Sequence, residues 1–163
     1  MTYYNPVFCF GEKAFVAKAV ASGVDGVIIP DLPYEEAEKF THYAQQKNLV
    51  NICFISPTSS RKRIDAILKI ARGFIYYVSL TGVTGGRRQL PADLKNKLAA
   101  IKRLTTKPVC VGFGISDARQ VKAVCQIADG VIIGSAIVAK IRENIGRNNL
   151  LAQVATFVER LNV

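Results

Sequence analysis

The chain has 163 residues, half of them apolar and 21% charged, and its 22 Lys and Arg against 12 Asp and Glu leave a net charge of +10. These figures exclude a disordered polypeptide and two ordinary domains, and fit one basic domain with enough apolar material for a core. No uncharged run reaches the roughly twenty apolar residues that a membrane-spanning helix needs. The first basic residue is Lys13 and no A-x-A site follows an apolar run, so no secretory leader is expected.

Charge is unevenly placed. Up to Leu49 there are 4 basic and 6 acidic residues, a net of −2, and from Val50 onward 18 and 6, a net of +12. The later Lys and Arg fall mostly on polar helix faces without interleaved aromatic residues, which points to a solvated surface rather than a nucleic-acid site. Cys9, Cys53, Cys110 and Cys125 are far apart, and the lone His42 offers no ligand spacing, so neither a disulfide framework nor a metal site is expected. Three of the four cysteines sit in apolar surroundings, as at Cys53 and Cys110, and read as small buried hydrophobes in a reducing compartment.

Along the chain, an apolar stripe through Phe15, Val16, Ala19 and Val20 predicts a helix that stops at Gly23. Short β-branched runs then recur at 27–29, 52–55, 74–78, 109–111 and 131–133, each followed by a turn and a helical pattern. None alternates apolar with polar residues, as expected of parallel strands covered on both faces.

After Pro33, Glu35 and Glu36 suit a helix's first turn, with Ala37, Phe40 and Ala44 facing inward. Ser59 or Ser60 caps a helix carrying Ile64, Ile67, Leu68 and Ala71, closed by Gly73, and Pro91 opens one with Leu94, Leu98 and Ile101. Ser116 caps the next, with Val121 and Val124. A short helix runs from Ser135 towards Gly146, and the last passes through Leu151, Val154, Phe157, Val158 and Leu161. These stripes are expected to be packing faces.

Five βα units suggest either an open doubly wound sheet or part of a (β/α)8 barrel, which when complete takes about 250 residues. In both, ligands bind beyond the carboxyl ends of the strands. There, Gly134 and Ser135 follow a strand and open a helix, so backbone N–H groups and a hydroxyl can hold a dianion, with Gly112 and Gly114 approaching from the preceding unit. The loop at 79–91 is long for a βα connection and rich in Thr and Gly, which suits a lid over a phosphorylated substrate.

Taken together, Met1-Thr2-Tyr3-Tyr4-Asn5-Pro6, Ile29-Pro30-Asp31-Leu32-Pro33, Ser79-Leu80-Thr81-Gly82-Val83-Thr84-Gly85, Val111-Gly112-Phe113-Gly114-Ile115-Ser116 and Ile133-Gly134-Ser135 resemble the tryptophan synthase alpha subunit family, in register and order from Met1 to the final helix. The resemblance implies a partial (β/α)8 TIM barrel, with about five complete βα units and a stub of the third strand near residues 1–3. Residues 1–163 would then be a single incomplete domain, the C-terminal two thirds of the alpha-chain barrel. The implied activity is cleavage of indole-3-glycerol phosphate to indole and glyceraldehyde 3-phosphate, with indole passing to a beta subunit in an alpha2beta2 complex.

By position, the resemblance implies a phosphate cradle of Gly85, Gly114, Gly134 and Ser135. Ile28, Tyr76 and Phe113 would wall the indole pocket, and Thr84 would be the lid threonine. Asn5, Asp31 and Pro33 would form the rim facing the beta subunit. The family's catalytic glutamate and aspartate motifs are absent from the sequence and would lie before Met1, so the chain as given is expected to be inactive alone. No cofactor, metal, nucleic acid or membrane is implied, and the location would be the cytoplasm, or the plastid stroma for a plastid-encoded chain. The alternatives are a non-catalytic module that binds phosphate or docks on the beta subunit, and another phosphate-binding barrel enzyme.

Overall fold

A computed structural model of the protein describes residues 1–78, 93–112 and 114–161. Five parallel strands lie side by side in chain order: β1 (Gly26–Ile28), β2 (Val50–Ile55), β3 (Ile75–Val78), β4 (Val109–Gly112) and β5 (Gly130–Ile132). The helices are α1 (Tyr4–Phe10), α2 (Glu12–Ala21), α3 (Glu38–Gln46), α4 (Arg61–Ile70), α5 (Leu94–Lys102), α6 (Ala118–Cys125), α7 (Ser135–Glu143) and α8 (Leu150–Leu161). An unbroken strand order with one helix between successive strands is that of a βα barrel; a doubly wound sheet would reverse its order at a switch point. The chain is therefore a partial barrel.

Alternation along each strand sorts side chains onto two faces. Cys53, Ile55, Ile75, Tyr77, Val109 and Val111 are buried against Ile67, Leu98, Ile101, Val121 and Val124 of the helix layer. The opposite set, which includes Phe54, Tyr76, Cys110 and Gly112, is only half-buried and faces the hollow that a closed barrel would enclose. A second apolar cluster, centred on Val7, Val16, Val27, Phe40 and Leu49, joins α1, α2 and α3 to β1. Each fully buried side chain of this size contributes about 1.5–3 kcal/mol.

Local signals fix some of the helix ends. Ser60 caps α4, its hydroxyl accepting from Arg63 N at 3.3 Å. Gly23 and Gly73 follow α2 and α4 with φ of 80° and 70°. The cap of α6 is Asp117 rather than Ser116: its carboxylate accepts from Gln120 N at 2.9 Å, while Gln120 Oε1 accepts from Ser116 N at 2.8 Å. A carboxylate one residue further on serves the first-turn N–H, and Ser116 is left to bond the glutamine.

Other expectations are corrected. Glu35 and Glu36 lie in a turn before α3, whose first-turn acid is Glu38; Glu35 instead pairs with Arg63 of α4. Residues 1–3 form no strand, although Thr2 N donates to Ile28 O at 3.0 Å as a neighbouring strand would. Helix α1 has no counterpart in the sequence reading. Of the cysteines only Cys53 is buried; Cys9 and Cys125 are exposed and Cys110 is intermediate. The apolar stripes of α7 and α8 are partly uncovered, with Leu151 81% and Val138 63% exposed. No helix among the described residues is long and apolar enough to cross a membrane.

Candidate functional site at the strand ends

The register places two glycine-bearing loops level with each other. Gly112 of β4 pairs with Ile132 of β5, so Gly114 and Gly134 each stand two residues beyond a paired position at the ends of adjacent strands. Gly114 has φ +68°, which only glycine adopts freely, and among the described residues no atom lies within 4 Å of where a side chain of either glycine would begin. Gly134 is the N-cap of α7 and Ser135 its first residue, so Ser135 does not itself cap the helix. First-turn N–H groups have no carbonyl of a preceding turn to reach, and the helix dipole adds positive potential there. The arrangement suits a small anion at the start of α7, with Gly114 beside it.

The hollow below is aromatic. Ile28 ends β1 opposite Ile52, and one layer further round Phe54, Tyr76 and Cys110 stand in register on β2, β3 and β4. The rings of Phe54 and Tyr76 are 4.9 Å apart, and burial pushes the Tyr76 phenol above its ordinary value. A methyl at position 112 would meet Tyr76 Cε1 at 2.6 Å and Cζ at 2.8 Å, so glycine there is what lets the phenol lie across β4. Phe54 escaped the sequence reading. Its signal was parity: Cys53 and Ile55 on the helix side put residue 54 on the same face as Tyr76.

At the rim, the Asp31 carboxylate accepts from Tyr4 N at 2.8 Å, holding the start of α1. This brings Asn5 and Asp31 to one place, with Asn5 Oδ1 accepting from Cys9 Sγ at 3.8 Å. Pro33 follows on the same connection and is half-buried. Gly85, Thr84 and Phe113 lie outside the described residues, as does the expected lid at 79–91.

Other hollows lie among the described residues, two of them at the β1–α3 connection and between α3 and α4. A groove of about 1230 Å³ between α3 and α4 is lined by charged side chains such as Glu38, Lys39, Arg61 and Asp65, remote from the Gly134 loop. A crevice of about 320 Å³ under the β1–α3 connection is lined by Asp31, Leu32, Phe54 and Arg63. Among the described residues no three His, Cys, Asp or Glu side chains gather as a metal site.

Five parallel βα strands in unbroken chain order, with glycine-bearing loops at their carboxyl ends, define a chain of the βα-barrel class. The family model for the tryptophan synthase alpha chain matches residues 1–163. The alpha chain of Geobacter sulfurreducens is 48% identical over 161 residues, and that of Geotalea daltonii 44% over 161 residues; each match covers 99% of this chain and 61% of the relative. Among solved structures, that of the tryptophan synthase a2b2 complex from Pyrococcus furiosus superposes with a TM-score of 0.87 at 38% identity, covering 99% of this chain and 64% of that one. A second structure, of a tryptophan synthase complex from the same organism, gives 0.86 at 35% identity, with 99% and 63% covered. The chain belongs to the tryptophan synthase alpha chain family, and spans about 61% of the length of the curated relatives it matches.

Proposed function

We propose that this chain supplies the substrate-binding side of the cleavage of indole-3-glycerol phosphate to indole and glyceraldehyde 3-phosphate, a lyase step of tryptophan biosynthesis. The observation that carries the proposal is the Gly112–Ile132 pairing, which sets Gly114 level with Gly134 and Ser135 around the N-terminus of α7. In this reading Gly85 completes the seat for the phosphate, the indole lies against Ile28, Tyr76 and Phe113, and Thr84 belongs to the loop that closes over both. Asn5, Asp31 and Pro33 form the rim that meets a beta subunit, to which indole passes, and the reaction takes place in the cytoplasm.

Cleavage breaks the bond between an indole ring carbon and the glycerol chain, delivering one proton to the ring and removing one from a glycerol hydroxyl. Groups for both transfers must lie within hydrogen-bond reach of substrate. Asp31 stands just beyond β1, and its Oδ1 is held by Tyr4 N in capping α1. The 163-residue chain therefore binds substrate without turning it over.

Calorimetric titration with glycerol 3-phosphate, together with an indole-release assay, tests this. Binding that is lost in Ser135→Asp, with no indole above background from either protein, is expected, because an added carboxylate repels the anion and blocks its seat. Binding indifferent to Ser135→Asp overturns the site, and indole release by the chain alone overturns the assignment of its chemistry.

A further inference from the structure

We propose that Glu12 is a positioning residue for the rim: by holding the phenol of Tyr4 it fixes the angle at which α1 meets α2, and with it the placing of Asn5 for a beta subunit. The proposal rests on the reading of Asn5, Asp31 and Pro33 as a partner-facing rim.

Helix α1 has little of its own to hold it in place. Val7 is its one buried residue, and the side chain of Tyr3 does not cap it. A single residue, Gly11, ends α1 and starts α2, with φ +88°, a conformation that favours glycine. Such a junction sets the angle between two helices only if something spans it. The Tyr4 hydroxyl does so, donating to Glu12 Oε1 at 2.9 Å from the other side of the glycine. Tyr4 is thus gripped twice, its amide by Asp31 Oδ1 at 2.8 Å and its phenol by Glu12. One bond would leave α1 free to turn about it; two, from different elements, do not.

Glu12 is more deeply placed than a first-turn acid has to be. An acidic side chain serves the start of a helix from an exposed position, without loss of its hydration. That of Glu12 is 6% exposed, and among the described residues Glu12 is the only buried acidic or basic residue. Burying a carboxylate is costly unless it is paired and hydrogen-bonded. Its partners come from two other elements: Tyr4 of α1 on Oε1, and Lys39 of α3, whose Nζ lies 3.5 Å from Oε2. Burial first, then the bond to Glu12, pushes the Tyr4 phenol above its ordinary value, so the proton stays with the donor. Glu12 therefore ties α1 to α2 and α3, and the residue after Tyr4 is Asn5, exposed at the rim. It acts on the rim without touching a partner.

The test measures, by calorimetry, binding of the 163-residue chain and its variants to the beta chain of the Pyrococcus furiosus complex. Glu12→Leu, which fills the site without an acceptor, and Tyr4→Phe, which removes only the hydroxyl, should each weaken binding about fivefold. Glu12→Gln keeps an acceptor for the phenol and gives up only an ion pair to an exposed lysine, so it should bind like the parent. The Glu12→Leu, Tyr4→Phe double variant should bind no more weakly than either single one. Loss of stability alone would lower Tm without producing this pattern. Should Glu12→Leu fail to fold, Tyr4→Phe and Glu12→Gln carry the same comparison. Undiminished binding by Glu12→Leu or Tyr4→Phe, a Glu12→Gln chain as weak as either, or additive losses in the double variant overturns the proposal. Asn5→Arg separates it from the reading beneath it. If the beta chain ignores Asn5→Arg, or does not bind the unaltered chain, the rim reading falls and the proposal with it; if Asn5→Arg abolishes binding and Tyr4→Phe leaves it unchanged, only the role of Glu12 falls.

Discussion

The phenol ring of Tyr76 lies where a side chain at position 112 would have to go. Gly112→Ala must therefore push the ring off β4, and overpacking of this kind costs about 1–3 kcal/mol. Because ring carbons as well as the hydroxyl are in the way, Tyr76→Phe should not relieve it, whereas Tyr76→Leu should. Chemical denaturation of the two single mutants and of Gly112→Ala combined with Tyr76→Leu checks this: a double mutant no more stable than the sum of its parts would show that the ring is not the obstacle.

Asp31 should act as a remote cap for α1. Its carboxylate meets Tyr4 N, the first helical N–H, from a distance of 27 residues in sequence. Asp31→Ala should cost about 0.5–2 kcal/mol, as loss of a cap does. The loss should be local, seen as faster amide exchange across Tyr4–Phe10 with exchange in β3 and β4 unaffected.

Asp129 should stabilise the fold in a pH-dependent way. One oxygen accepts from Lys102 Nζ at 2.6 Å and the other from Val109 N at 2.9 Å. Lys102 foremost, then the Val109 amide, holds its carboxyl below the ordinary 3.8. A depressed folded-state pKa means that the contribution is fully present above about pH 4 and disappears as acid protonates the folded form. Asp129→Ala should therefore cost about 1 kcal/mol at pH 7, given its partial exposure, and progressively less below pH 4. Urea midpoints of both proteins from pH 7 to pH 2.5 should converge.

The cysteines should separate by reactivity. Burial pushes the Cys53 thiol up to about 11, and Cys9 and Cys125 are exposed. With a thiol reagent at pH 8, two groups should react quickly, Cys110 more slowly, and Cys53 only on unfolding. Rapid loss of all four thiols from the native chain would contradict the packing around β2.

How far these features can be read from sequence depends on the range of the interactions that make them. The strands were legible because each is a short apolar run set between turns, and the turns at Gly114 and Gly134 were legible because glycine after such a run marks a strand's end; that one face of the sheet is only half-buried was not, because a run of apolar residues does not say what lies over it. Nor was helix α1. Tyr4–Phe10 contains Pro6, an asparagine and three aromatic residues, weak helix formers, and what starts the helix is Asp31. The same holds for Glu35, whose suitability for a helix's first turn is outweighed by its pairing with Arg63 of α4. On α8 the stripe through Leu151 and Val158 is real, but periodicity says that a face is apolar and not what covers it.

The two apolar clusters have a further consequence. Their boundary falls between Leu49, in the cluster of Val7 and Phe40, and Cys53, in that of Ile75 and Val109, next to the point where the chain changes from a net charge of −2 to +12. Across that seam Arg63 is paired with Glu35 and stacked 4.9 Å over the ring of Tyr34, and Asn51 Nδ2 reaches Thr41 Oγ1 at 3.4 Å. An acidic lobe is thus fastened to a basic one by the short backbone ladder of Gly26–Ile28 on residues 50–52 and by side-chain contacts that salt in part screens, and melting of this chain should proceed in two steps, the lobe ending at Leu49 detaching first and somewhat earlier as ionic strength rises.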